Sequence, residues 1–288
     1  MKKFFLALVK ALCYTLLFFG MQLVVMMAAG LIFGVQQGFS SIMNGIAPDP
    51  MALMEDMTDF LLYNANLISV ISSILSLFLL WPVFAARRKN YLREISLVPA
   101  RPDLAPAAAI LLGLSFAFVL SIVLDLLPIP ESAWEEYAQY SSGITDVDRP
   151  LLGFLAAVIV APITEEIFFR GLVYTRLKRG MPTMIAVLLE SAIFGLLHGA
   201  AIWIAYAFLL GVIMTLIYEK FKSILVSIAF HAAFNLSGGY FVTMVDAENP
   251  VVYWASLAIA GAIAIASFLW LLSMPKNNTL KPAGEKPE

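Results

Sequence analysis

The chain has 288 residues, of which 61% are hydrophobic and 13% charged, against roughly 45–50% and 25% in soluble domains. A water-soluble fold cannot hide that much apolar surface, so composition excludes that class and points to a bilayer. The net charge of −2 decides nothing, and the single cysteine, Cys13, rules out a disulfide framework.

Roughly 20 apolar residues cross a bilayer as a helix. Eight runs qualify, at about 4–34, 62–86, 104–128, 150–175, 182–199, 202–219, 223–245 and 251–273. The first follows Lys2 and Lys3 and is interrupted only by Lys10 and Gln22. It exceeds the ~7–15 residues of a signal-peptide core, so it reads as a first membrane span. The second is preceded by 49–62, which opens Asp-Pro and continues Met-Ala-Leu-Met-Glu-Asp-Met, the pattern of a capped amphipathic helix. Such a helix lies on the membrane or extends the second span. The fifth and sixth runs are separated only by Gly199 and Ala200. Trp81, Trp203, Trp254 and Trp270 fall near span ends, where indole rings favour the interface. Gly30-x-x-x-Gly34 and Gly195-x-x-x-Gly199 have helix-packing spacing, a pattern common by chance in apolar sequence.

The placement of Lys and Arg sets the orientation. With the N-terminus inside, the inner segments hold Lys2, Lys3, Lys10, Arg87, Arg88, Lys89, Arg93, Arg101, Arg176, Lys178, Arg179, Lys220, Lys222, Lys276, Lys281 and Lys286. The outer segments hold only Arg149, together with acids such as Asp49, Glu55, Asp56, Asp59, Glu131, Glu135, Glu136, Asp146, Asp148, Asp246 and Glu248. The fold class expected is therefore an all-α integral membrane protein of about eight transmembrane helices, in the cell membrane, with both termini cytoplasmic. It divides into helices 1–3 with their outer loops (1–149), a core of helices 4–7 (150–245), a last helix (246–275) and a Pro-, Lys- and Glu-rich tail (276–288) that composition marks as disordered. No phosphate loop and no nucleic-acid patch is evident; the basic clusters are orientation signals.

Ionisable groups within a bilayer are costly, so those present are informative. In Thr164-Glu165-Glu166-Ile-Phe-Phe-Arg170, Glu166 and Arg170 stand at i and i+4 and can pair, while Glu165 points about 100° away and is the freer carboxylate. A carboxylate of that kind suits a general base. Ser191, Phe194 and His198 share one face of the fifth run. His231 and Asn235 lie one turn apart in the seventh, where both can donate to one oxygen. These are the chain's only two histidines. At 1.5 Å per residue from the inner ends, Glu165 lies ~20 Å deep, His198 ~27 Å, His231 ~14 Å and Asn235 ~20 Å. Those depths straddle the middle of the bilayer, and Pro162 marks a break in the fourth helix that helps bring them together. Glu190 is a further intramembrane carboxylate whose role the spacing leaves open.

Glu-Glu-x-x-x-Arg, Phe-x-x-x-His and His-x-x-x-Asn, in that order on successive spans, resemble the CPBP family, which contains the type II CAAX prenyl endopeptidases and the abortive-infection and bacteriocin-processing membrane proteins. The resemblance covers about 150–240 and includes Phe168-Phe169-Arg170-Gly171. It implies an eight-helix fold and endopeptidase activity, with Glu165 and His198 activating water and His231 and Asn235 stabilising the oxyanion; Glu190 is not part of that pattern. The partners implied are the bilayer and a peptide or lipidated protein. A zinc version uses much the same residues, since Glu165, His198 and His231 match the His₂Glu set of catalytic sites. The zincin spacing His-Glu-x-x-His is missing, which leans the reading toward metal-independent chemistry. Two other classes compete. A non-catalytic immunity or binding protein keeps the fold without needing the water, and a proton-coupled transporter gives no special reason for Asn235.

Overall fold

A computed structural model describes residues 2–45, 49–86, 104–141, 148–242, 245 and 249–276. The basic cluster at 87–101, the outer acids Asp146, Asp246 and Glu248, and the tail beyond 276 lie outside the described residues. Those described form helices α1 (Lys2–Met43), α2 (Pro50–Tyr63), α3 (Ala65–Ala86), α4 (Ala105–Leu126), α5 (Glu131–Ser141), α6 (Pro150–Leu177), α7 (Thr183–Leu196), α8 (Ala201–Phe221), α9 (Ile224–Phe241) and α10 (Pro250–Ser273), with no strand among them.

Seven of these, α1, α3, α4, α6, α8, α9 and α10, are long and apolar enough to cross a membrane. The protein is an all-α membrane protein. The expected span 182–199 differs: α7 has 14 residues, about 21 Å of helix against a hydrocarbon core of ~30 Å. It stops because the chain turns at Gly199, whose φ is +82°, a conformation that favours glycine. A Cβ there would also lie 2.9 Å from the Tyr140 ring.

The amphipathic segment is α2. Asp49 caps it, accepting from the Met51 amide at 2.9 Å, with Pro50 in the first turn. Only Asn64 separates it from α3, and Phe60 stacks on Phe33 of α1 at 4.7 Å. It therefore extends the second span. Arg149, at the start of α6, reaches this junction through Asn64 and the Tyr63 ring. Asn249 caps α10 in the same manner as Asp49 caps α2.

Close contacts are made at Gly113 and Gly211 as well as at the expected pair Gly195 and Gly199, but not at the expected pair Gly30 and Gly34. A Cβ on Gly113 of α4 would lie 2.3 Å from the Phe230 carbonyl oxygen of α9, and one on Gly211 of α8 would lie 2.9 Å from Ser191 of α7. Those two approaches hold the polar residues of α9 and α7 against their neighbours. Gly34 has nothing within 4 Å and Gly30 touches only Met57, so their spacing is not a packing motif here; Gly195 is tight against Ile204 of α8.

Candidate active site

The site grows from an irregular helix. In α6 the turns at Leu155–Val160 and Ile167–Tyr174 are wide, π-helical ones that flank a tighter stretch, Ala161–Glu166. Such insertions gather at functional sites. Pro162 does not break the helix, as its sequence position suggests; the wide turns absorb it. The amide of Ala161 bonds five residues back, to the Ala156 carbonyl. The Ala157 carbonyl therefore loses its usual partner, and the next amide along belongs to Pro162, which has no N–H. The orphaned carbonyl is satisfied from another helix: Asn235 Nδ2 donates to it at 2.8 Å.

The tight stretch presents its two glutamates differently. Glu166 is fully buried. Its carboxylate accepts from Arg170 Nη1 at 2.8 Å, from Ser227 Oγ at 2.5 Å and from His231 Nδ1 at 2.9 Å. Glu165 lines a cavity of about 460 Å³ together with His198, His231 and Asn235. Beside it stands His231, whose Nε2 is 3.8 Å from Glu165 Oε2.

Arg170 is also fully buried and ties three helices, α6, α7 and α8, together. Besides Glu166 it meets Thr215 Oγ1 and the Gly211 carbonyl of α8, each at 3.4 Å. Its guanidinium lies over the Phe194 ring of α7 at 4.5 Å, and Glu190 Oε1 of α7 is 3.6 Å from its Nε. Glu190 Oε2 accepts from Thr215 at 2.6 Å and from Ser191 at 3.4 Å, while Oε1 has no hydrogen-bond partner within the protein. Two carboxylates thus flank one arginine. Breaking such buried arrangements by removing one member is costly, because a desolvated charge is left behind.

The hydrogen bonds fix the histidine tautomers. His198 Nδ1 lies 2.8 Å from the Phe194 carbonyl, which can only accept, so Nδ1 carries the proton and Nε2 keeps its lone pair. The ring is held against Phe194 and Trp203 at 4.8 and 5.3 Å. Trp203 is therefore a wall of the site as well as a residue near a span end. In His231, Nδ1 donates to the Glu166 carboxylate, so Nε2 can donate as well only when both ring nitrogens carry protons.

Of the residues singled out in the sequence, Glu166 and Arg170 pair as their spacing predicts, and Glu165, His198, His231 and Asn235 converge on one cavity. Among the described residues, no three His, Cys, Asp or Glu side chains are grouped to hold a metal ion, Glu165, His198 and His231 included. Sequence reasoning did not single out Ser227, Thr215 or Gly211. Ser227 repeats the i, i+4 step of His231 and Asn235 along α9, and Gly211 and Thr215 make the same step along α8, a polar stripe visible in the sequence. Glu190, left open, is the second partner of Arg170.

Residues 148–237 match the family model of the type II CAAX prenyl endopeptidases, Rce1-like. The match covers α6 to α9, the same helices whose three motifs carry the resemblance, which is thereby borne out. Over 89 residues the chain is 29% identical to the UPF0177 protein YxdF of Lactococcus lactis subsp. lactis (strain IL1403), which takes in 31% of this chain and 49% of that protein. The chain thus spans about half the length of that curated relative. No solved structure matches.

Proposed function

We propose that the chain is an intramembrane endopeptidase of the CAAX/CPBP type, and that Glu165 and His198 activate the water that attacks the peptide bond. One observation carries this reading: of Glu165, Glu166 and Glu190, the half-buried Glu165 alone faces the cavity, while the buried Glu166 and Glu190 are bound up with Arg170. Water between Glu165 and the unprotonated Nε2 of His198 gives its proton to Glu165 as it attacks the carbonyl carbon. The carbonyl oxygen becomes an oxyanion, facing the amide hydrogen of Asn235 that Ala157 does not use and, in the doubly protonated form of His231, its Nε2–H as well. The C–N bond then breaks, and the proton held by Glu165 passes to the leaving amine. Hydrolysis balances with one water and no other reactant.

Glu166 and Arg170 position these groups without touching substrate. Glu166 sets the His231 ring through Nδ1, and Arg170 fixes α6 against α7 and α8. No step in this proposal runs through a metal. The substrate class is a membrane-associated peptide or lipidated protein. Peptidomics of membrane fractions from cells carrying wild-type or Glu165→Gln protein tests the reading. Peptides that accumulate uncut only in the variant support it, and identical peptidomes oppose it.

A further inference from the structure

The cavity opens toward one end of the helix bundle. Its wall includes Ser69 near the start of α3, Leu124 near the end of α4, Tyr137 and Ser141 of α5, Ala157 near the start of α6 and Gly239 near the end of α9. Every one of these positions lies at the end of its helix that adjoins α2 and α5. Toward the opposite end the site is closed by the fully buried network of Glu166, Arg170 and Glu190 and, beyond it, by buried Tyr174 and Leu177.

The two ends differ in charge. At the closed end the structure gathers basic groups: the backbone of Lys3 lies against Gly180, Lys178 and Lys222 both pair with Glu219, and Lys220 donates to the Leu271 and Leu272 carbonyls. At the open end lie exposed Glu55, Asp56 and Asp59 on α2 and exposed Glu131, Glu135 and Glu136 on α5. Of the Lys and Arg among the described residues, only Arg149 belongs to that end and only Arg170 to the site. Lys and Arg stay on the cytoplasmic side, so the open end is the outer one.

At the mouth, α5 is held over the cavity by aromatic contacts. Tyr137 packs edge-on against Trp203 and Tyr206 at 6.1 and 6.2 Å, and Trp203 in turn packs on His198. The acids of α5 stand on the same short helix as Tyr137 and Ser141, which line the cavity, with Glu136 next to Tyr137 in sequence. A low-dielectric cleft rimmed by one sign of charge concentrates the opposite sign.

We infer that the site is reached from the extracytoplasmic side, past α5, and that its substrate is a cationic peptide with an apolar segment met in the outer leaflet. This rests on the peptidase reading for what happens to the peptide, but not for the direction of access. The aromatic wall of Phe18, Phe19, Trp203 and Phe234 takes the apolar segment, and the acidic rim draws the cationic part.

The test uses the full chain in intact cells with Cys13, which is exposed, changed to serine. Ser69→Cys and Ser141→Cys probe the mouth, Ser121→Cys replaces either variant that fails to accumulate, and Arg179→Cys probes the closed end. Each is treated with two membrane-impermeant thiosulfonates, one bearing trimethylammonium and one bearing sulfonate. The mouth cysteines are expected to react in intact cells and Arg179→Cys only after permeabilisation; the reverse pattern overturns outward access. Corrected to a free thiol, the cationic reagent is expected to be faster at the mouth by about threefold or more, and the preference to shrink in Glu135→Gln, Glu136→Gln protein and at high salt. Equal rates, or a faster anionic reagent, overturn the cationic substrate. Neither readout needs cleavage, so failure of the peptidase reading shows separately, in unchanged Glu165→Gln peptidomes.

Discussion

Asn235 donates its side-chain amide to the backbone carbonyl of Ala157 at 2.8 Å, at the one point in α6 where Pro162 and the preceding wide turn leave a carbonyl without a helical partner. An amide nitrogen has two hydrogens, so Asn235 can hold the helix with one and offer the other to the cavity. Asn235→Ala should therefore do two things. Leaving the Ala157 carbonyl unpaired should cost about 1–3 kcal/mol of stability, and losing an oxyanion donor should slow turnover by about 10²–10³-fold. Asn235→Asp should be worse on both counts, since it sets a carboxylate against the carbonyl. Thermal unfolding in detergent and cleavage rates on the same preparations check this. Slow turnover with unchanged stability would mean that the Ala157 contact contributes nothing.

The charge cluster makes a second expectation, sharper than the Glu166–Arg170 spacing alone allows. Glu166→Gln takes a carboxylate from Arg170 but leaves Glu190 at 3.6 Å. Adding Arg170→Met then strands Glu190 without its cation, and stranding a buried charge costs roughly 3–5 kcal/mol. The double variant Glu166→Gln, Arg170→Met should thus be no more stable than Glu166→Gln alone. The triple variant that adds Glu190→Gln should recover much of the loss. Yield and melting temperature of the three proteins decide the matter, and full recovery in the double variant would show that Glu190 does not depend on Arg170.

Gly113 offers a test of how closely α4 must approach α9. Glycine to alanine in a helix usually gains roughly 0.5–1 kcal/mol. At Gly113 the new methyl would meet the Phe230 carbonyl at 2.3 Å, next to His231, and such overpacking costs about 1–3 kcal/mol. Gly113→Ala should lower both stability and activity. Gly34→Ala, where nothing lies within 4 Å, should be neutral or slightly stabilising. Melting curves of the two variants side by side measure the contrast, and equal effects would contradict the packing described.

Chelation addresses the metal. Among the described residues no three His, Cys, Asp or Glu donors are grouped to hold an ion, and on the proposed mechanism cleavage by purified protein should survive prolonged treatment with a strong zinc chelator. One equivalent of zinc that co-purifies, is lost in His198→Ala and restores activity on return would reverse that expectation.

Much of the site is legible in the sequence because its key relations are local. Glu166 and Arg170 are one turn apart, as are His231 and Asn235, and helix geometry alone puts each pair on one face. Glu165 falls on another face for the same reason. The relations that escape are those between helices. Glu190 of α7 meets Arg170 of α6, and Gly211 of α8 closes on Ser191 beside it; nothing within any one of these segments states those approaches. The Asn235–Ala157 contact depends on wide turns in α6 that an apolar run does not announce. The length of α7 was hidden likewise, since the run 182–199 passes into the next apolar run with little to mark a break, while the turn at Gly199 ends the helix at Leu196.

The central claim is that Glu165 is the base that activates water while Glu166 holds the site together. Cleavage of a cognate peptide by purified Glu165→Gln protein, measured beside its melting temperature, tests this most directly. Glutamine keeps the size of the side chain and cannot take the proton. The account predicts a folded protein of near wild-type stability with no detectable cleavage. A Glu165→Gln protein that cleaves at the wild-type rate would contradict it, and the more so if Glu166→Gln proved stable and inactive.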